Sequence, residues 1–167
     1  MLYPLSYEDR QAHILADCRS HDYMAAADVY LPFFVYGTLL PGEVNYPLWR
    51  EAIVDQRPAV MVGAQLYDLG RFPMLVDAPD GAARGVLVHV RPSSYGAALR
   101  LLDQLEGVAL VKWREVGFRR VRRIVRLWGA DPAVAWVYVG RTAAVAGLCP
   151  IGPDWKAYGR LIRSNRF

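Results

Sequence analysis

The 167-residue chain has a net charge of +4, with 54% hydrophobic and 22% charged residues. This length fits one domain with a full core, and the composition is typical of a globular protein rather than a disordered one. No apolar run approaches the roughly 20 residues that a bilayer-spanning helix needs, and the first residues lack the basic-then-apolar order of a signal peptide. We therefore expect a soluble cytoplasmic protein without a membrane partner.

The first element predicted along the chain is a helix in an N-terminal extension, residues 1–31. A capping-box pattern at Ser6 indicates a helix of about Tyr7–Arg19. The domain proper, residues 32–167, begins with the short strand Phe33–Tyr36. This strand is continuously apolar, so we expect it to lie inside a sheet.

Strands dominate the sequence after Pro58, with one strong helix among them. A short helix over Glu43–Ala52, broken at Pro47, precedes them. Gly, Pro and Asp residues predict turns at Gly70–Pro73 and Asp77–Gly81. The strands are expected at Ala59–Leu69, Met74–Val76, Gly85–Val90, Phe118–Leu127 and Ala133–Val139, and a terminal helix starts near Asp154. This pattern predicts a mixed α+β domain, for which a small closed barrel is one arrangement.

The strong helix, Pro92–Gly107, carries an unusual glutamate. Its start has a proline and two serines, and Gly107 follows its end as a C′ residue. Apolar residues recur at helical spacing along one face: Tyr95, Ala98, Leu99, Leu102 and Leu105. Glu106 falls on this face in the last turn, so burial and the helix dipole would both raise the pKa of its carboxyl. Such a group is a usable proton acceptor near neutral pH. The alternative is a glutamate at a frayed helix end whose carboxylate reaches water.

Other catalytic signatures are missing from the sequence. It contains no Gly-x-Ser-x-Gly elbow, no P-loop and no His-Glu-x-x-His motif. The three histidines lie apart, and Cys18 and Cys149 have no metal-ligand neighbours. We therefore expect neither a metal nor a cofactor, and a reaction here would use a carboxylate and backbone amides. Gly37, at the end of the first strand, permits amide groups in the following turn to point at an anion.

The arginine-rich stretch Arg119–Arg126 is the densest positive charge in the chain. It could contact phosphates, but it lacks interleaved aromatic residues and no nucleic-acid motif accompanies it. We interpret it as a solvated strand face and do not expect nucleic acid as a partner.

Five blocks, taken in order, resemble the gamma-glutamylcyclotransferase-like family (gamma-glutamyl cyclotransferase, AIG2-like). The blocks are Phe33–Leu39, Gly63–Val76, Leu102–Gly107, Ala135–Tyr138 and Pro150–Tyr158. The resemblance implies a small mixed β-barrel with flanking helices, and a cavity between the first loop and the glutamate. It also implies an enzyme that cyclises and cleaves a γ-glutamyl amine or peptide, releasing 5-oxoproline and a free amine.

Matched residue by residue, the resemblance assigns a role to seven positions. Glu106 takes the place of the catalytic general acid and base. The residues implied for substrate binding are Tyr36, Gly37, Thr38 and Leu39 in the loop, with Trp113 and Tyr138 lining the cavity. Phe118-Arg119 competes with Trp113 for its place in the alignment.

Departures from the family pattern leave the substrate open. Thr38-Leu39 stands where glutathione- and peptide-directed eukaryotic members have Ser-Asn, and Val86 stands where many members have Glu. Trp113 cannot donate the hydroxyl hydrogen bond of a tyrosine. A non-catalytic module that binds or senses a small molecule in the same cavity is the alternative function. The leaving amine, the role of residues 1–31 and the oligomeric state, a homodimer included, stay open.

Overall fold

The structure is a computed structural model, and it describes residues 30–107 and 117–164. The chain divides into two units, Met1–Leu31 and Pro32–Phe167, and all the described strands and helices belong to the second. The helix expected at Tyr7–Arg19 and the candidate site residue Trp113 lie outside the described residues.

The described residues form five strands and two α-helices. The strands are β1 (Phe33–Val35), β2 (Ile53–Asp68), β3 (Pro73–Val90), β4 (Arg119–Leu127) and β5 (Ala130–Val139). They close into a ring in the order β1-β3-β2-β4-β5, and every neighbouring pair is antiparallel except β1 with β5. The helices are α1 (Pro92–Leu105) and α2 (Trp155–Ser164). The expected mixed α+β class, with strands that close on themselves and flanking helices, is confirmed.

Strand β1 is apolar throughout because both of its faces are buried. Phe34 points into the cluster inside the ring, while Phe33 and Val35 join a second cluster with α1. That second cluster includes Tyr95 and Leu102 of the predicted helical stripe. Helix α1 therefore packs on the ring through the face that its sequence periodicity indicates.

The prediction of a turn at Asp77–Gly81 is wrong, because β3 continues through these residues. Val62 pairs with Ala82 and Ala64 pairs with Asp77, so residues 78–81 lie opposite Gly63 alone. The turn-forming composition therefore marks a bulge, where the strand leaves its register without reversing direction.

The segment before β2 also differs in detail from its prediction. It forms two short 3₁₀ helices, Tyr46–Leu48 and Arg50–Ala52, and the break falls at Trp49 rather than at Pro47. Trp49 is buried in the same cluster as β1 and α1. Among residues 30–107 and 117–164, no helix combines the length and apolar character needed to cross a bilayer.

Candidate functional site

The chain leaves helix α1 at Glu106, as its stop signal predicts. Glu106 is the C-cap residue, and its amide donates to the Leu102 carbonyl at 2.9 Å. Gly107 follows with a φ of 69° and donates to the Gln104 carbonyl at 3.2 Å. Glycine adopts this left-handed conformation at little cost, which makes it the usual C′ residue. The helix thus ends at the position where the Glu106 side chain lines a cavity.

The cavity has a volume of about 380 Å³ and lies where β1, the β2–β3 turn, β5 and the end of α1 meet. It brings together six of the seven residues predicted from the sequence: Glu106, Tyr36, Gly37, Thr38, Leu39 and Tyr138. The seventh, Trp113, lies outside the described residues. Nine further described residues also line it: Phe34, Val35, Val44, Asn45, Arg71, Phe72, Pro73, Leu105 and Phe118.

Glu106 is partly buried, and its surroundings disfavour a charge. Burial raises the pKa of its carboxyl from the ordinary 4.5 to about 7. Within the described residues the carboxylate has neither an ion-pair nor a hydrogen-bond partner that would oppose this shift. The group is therefore divided between its protonated and ionised forms near neutral pH, so it can both accept and donate a proton.

The loop after β1 lines the cavity and forms a tight turn. The Leu40 amide donates to the Gly37 carbonyl at 3.0 Å, which closes a tight turn. Asn45 fixes the loop, because its backbone amide donates to the Thr38 carbonyl at 2.9 Å and its side chain donates to the Thr38 hydroxyl at 3.1 Å. Within residues 30–107 and 117–164, the amides of Thr38 and Leu39 have no acceptor. Successive backbone N–H groups without an acceptor in a turn can together bind an anion.

Gly37 permits the β2–β3 turn to pack against this loop. A Cβ atom built at Gly37 would lie 2.6 Å from Cγ and 3.0 Å from Cδ of Pro73, which is closer than carbon atoms approach. The absence of a side chain at Gly37 therefore brings the Gly70–Pro73 turn, with Arg71 and Phe72, to the cavity.

A chain of hydrogen bonds ties the walls of the cavity together. The Tyr36 hydroxyl donates to the Tyr138 carbonyl at 2.7 Å, and the Tyr138 hydroxyl donates to Oδ1 of Asp103 at 2.8 Å. Arg120 donates to Oδ2 of Asp103 at 2.5 Å and lies 4.9 Å above the Trp136 ring. The Tyr138 hydroxyl thus donates its single proton to Asp103. This hydrogen bond holds α1 about one turn before Glu106.

Both phenols stay protonated at neutral pH. Burial raises the pKa of Tyr36 well above its ordinary value, and the neighbouring Glu106 carboxylate raises it further. Burial also raises the pKa of Tyr138, as does its hydrogen bond to Asp103. The two tyrosines therefore act as neutral hydrogen-bond donors that hold the site, rather than as proton acceptors.

Sequence reasoning missed several residues that shape this site. Arg71 and Phe72 lie in a turn that was predicted, but nothing local showed that the turn would reach the cavity. Asp103 precedes Glu106 by about one helical turn, and that spacing could have suggested a shared role. No sequence signal indicated Asn45. Among the described residues, no group of three or more His, Cys, Asp or Glu could hold a metal ion.

The comparison with protein families identifies the chain. A family model described as gamma-glutamyl cyclotransferase, AIG2-like, matches residues 33–157, which is most of the chain. The chain belongs to this family. No curated protein gives a significant match.

Solved structures place this gamma-glutamyl cyclotransferase, AIG2-like chain among proteins of the same fold. It is similar to an uncharacterized protein from Pyrococcus horikoshii, with 19% identity, a TM-score of 0.54 and coverage of 81% of this chain and 98% of that one. An AIG2-like protein from Mus musculus has 19% identity, a TM-score of 0.56 and coverage of 74% and 87%. An Arabidopsis thaliana protein has 21% identity, a TM-score of 0.57 and coverage of 82% and 76%. At these identities the likeness shows the shared fold.

Proposed function

We propose that this member of the gamma-glutamyl cyclotransferase, AIG2-like family cyclises a γ-glutamyl amine or peptide, with Glu106 as general acid and base. The products are 5-oxoproline and a free amine. One observation carries the proposal: a carboxyl whose pKa is raised to about 7 lines the same cavity as a loop with two amides that have no acceptor among the described residues.

In the proposed reaction the nucleophile belongs to the substrate. The α-amine attacks the γ-carbonyl carbon, a ring C–N bond forms, and the original amide C–N bond breaks. Holding the chain in this geometry can lower the barrier by about 7–11 kcal/mol. Such a reaction needs no serine or cysteine nucleophile, which agrees with the sequence.

Glu106 would move the proton that this exchange requires. Its ionised carboxylate takes a proton from the α-ammonium, and its protonated form then delivers that proton to the departing nitrogen. The ring nitrogen loses a second proton to water as the new amide forms. A positioned acid–base group of suitable pKa contributes about 10²–10⁴-fold to the rate. The pKa of about 7 supports this role, because both forms are populated near neutral pH.

The loop amides would supply the second function. The N–H groups of Thr38 and Leu39 would hold the α-carboxylate of the γ-glutamyl group, or the oxyanion that forms on the γ-carbonyl oxygen. The Tyr36 and Tyr138 rings form part of the cavity wall. The hydrogen bonds of their hydroxyl groups connect the loop, β5 and α1.

The test is a screen of γ-glutamyl amines and peptides with detection of 5-oxoproline. We expect wild-type turnover of at least one compound and a loss of about 10²-fold or more in Glu106→Gln. Glu51→Gln is the matched control, because the Glu51 side chain is 87% exposed and lies outside the cavity. Wild-type rates in Glu106→Gln would contradict the proposal. Binding without any 5-oxoproline would favour the non-catalytic binding module.

A further inference from the structure

Arg71 is the one positively charged side chain among the described residues that line the cavity. It is exposed, and within residues 30–107 and 117–164 it forms neither an ion pair nor a hydrogen bond. An arginine keeps its charge and offers five N–H donors in a planar arrangement that matches a carboxylate. The cavity thus contains, in addition to the carboxyl of Glu106, a cation that has no partner in the part of the chain that the structure describes.

The backbone that carries Arg71 is fixed from several sides. The Gly70 amide donates to Oδ1 of Asp68 at 2.7 Å, and Tyr158 of α2 donates to Oδ2 of the same carboxylate at 3.0 Å. The Leu69 amide donates to the Phe72 carbonyl at 3.1 Å, which closes the turn. Together with the contact between Pro73 and Gly37, these bonds hold Arg71 at the edge of the cavity.

An apolar wall lines the cavity together with this cation. The Phe72 and Phe118 rings lie 6.1 Å apart at an angle of 56°, and both line the cavity. Leu105, which precedes Glu106, is 40% exposed and lines it as well. A ligand group that combines a carboxylate with an apolar side chain would match both features.

Building on the proposed function, we propose that Arg71 binds the carboxylate of the leaving amino acid. The side chain of the leaving amino acid would contact Phe72, Phe118 and Leu105. The substrates are therefore γ-glutamyl α-amino acids with apolar side chains. The γ-glutamyl half must reach Glu106, and the amides of Thr38 and Leu39 would bind the α-carboxylate of that half. The leaving half then extends toward the exposed part of the lining, where Arg71 lies.

The test compares γ-glutamyl-phenylalanine with γ-glutamyl-phenethylamine, which differ by a single carboxylate. We expect wild-type kcat/KM to favour the former by about 10–100-fold, mainly through KM, as for a charged hydrogen bond. Arg71→Gln should abolish this preference by weakening only the phenylalanine compound, and Arg71→Lys should keep part of it. Arg84→Gln is the matched control, since Arg84 is exposed and outside the cavity.

A second measurement separates this inference from the reaction itself. Calorimetric binding of both compounds to Glu106→Gln, with and without Arg71→Gln, reports the carboxylate preference without turnover. A preference that depends on Arg71, combined with no 5-oxoproline from the wild type, would overturn the proposed reaction and support the Arg71 assignment. Equal losses on both compounds would overturn the assignment and place Arg71 on the γ-glutamyl carboxylate. The Arg71 assignment would also be overturned if wild type showed no preference between the two compounds, or if the preference did not depend on Arg71. It would likewise be overturned if neither compound bound.

Discussion

Replacing Glu106 with glutamine should make the protein more stable, and by an amount that depends on pH. The carboxyl has a pKa of about 7 in the folded protein, raised by burial from 4.5. A raised pKa means that the folded state binds this proton more tightly than the unfolded state does. Protonated Glu106 therefore favours folding, and its ionisation opposes folding. Glutamine has a similar shape and cannot ionise.

The sign and size of the effect follow from these two pKa values. Below pH 4.5 both states of the wild type are protonated and the ionisation penalty is absent. Between pH 4.5 and 7 the penalty grows, and above pH 7 it is complete. The difference between the two pKa values corresponds to about 3 kcal/mol. The free energy of unfolding of Glu106→Gln should thus rise relative to wild type by about 3 kcal/mol between pH 4 and pH 8.

The assay is urea unfolding of wild type, Glu106→Gln and Glu51→Gln at pH values of about 4, 5.5, 7 and 8.5. The stability difference between Glu106→Gln and wild type should grow with pH and level off above neutrality. Glu51→Gln controls for the loss of a carboxylate from the surface, because that side chain is 87% exposed. Parallel pH profiles for wild type and Glu106→Gln would refute the reasoning, since they would mean that the carboxyl of Glu106 titrates normally in the folded protein.

Three further predictions follow from the site. As the pH is lowered, the kcat/KM of a confirmed substrate should decrease with an apparent pKa near 7, because the base form of Glu106 takes the first proton. A decrease centred near pH 4.5 would contradict this. Gly37→Ala should raise KM at least several-fold, because the new Cβ would lie 2.6 Å from Pro73 and push the loop and turn apart; an unchanged KM would show that both accommodate the methyl group. Tyr138→Phe should lower the free energy of unfolding by about 1–2 kcal/mol, measured in urea, by leaving Asp103 without its Tyr138 donor. If Tyr138→Phe changed KM without any loss of stability, the hydroxyl would contact the substrate directly.

Local signals in the sequence were sufficient for the elements that carry the site. Helical periodicity and Gly107 predicted where α1 ends and which face it buries, because both depend on residues within a few positions of each other. The apolar run of β1 predicted a strand inside the sheet, and both faces of that strand are buried. The family blocks then associated Glu106 with the Tyr36–Leu39 loop, and the structure places both on one cavity.

Other features depend on partners far away in the chain. Asp77–Gly81 has the composition of a turn, yet its pairing with β2 keeps it within one strand. Asp103 reads as a surface residue of a helix, but Tyr138 and Arg120 bond to it once β4 and β5 form their hairpin. Neither outcome is visible in the neighbouring residues.

The sequence by itself determined the helix that ends at Glu106, the buried first strand and the family. Only the tertiary structure decided which groups share the cavity. Closure of the ring places the Gly70–Pro73 turn against Gly37, and thereby adds Arg71 to the lining. The physical reason is that local propensity acts over a few residues. The charge, volume and pKa of a cavity depend instead on contacts between distant segments, which exist only after the strands have paired.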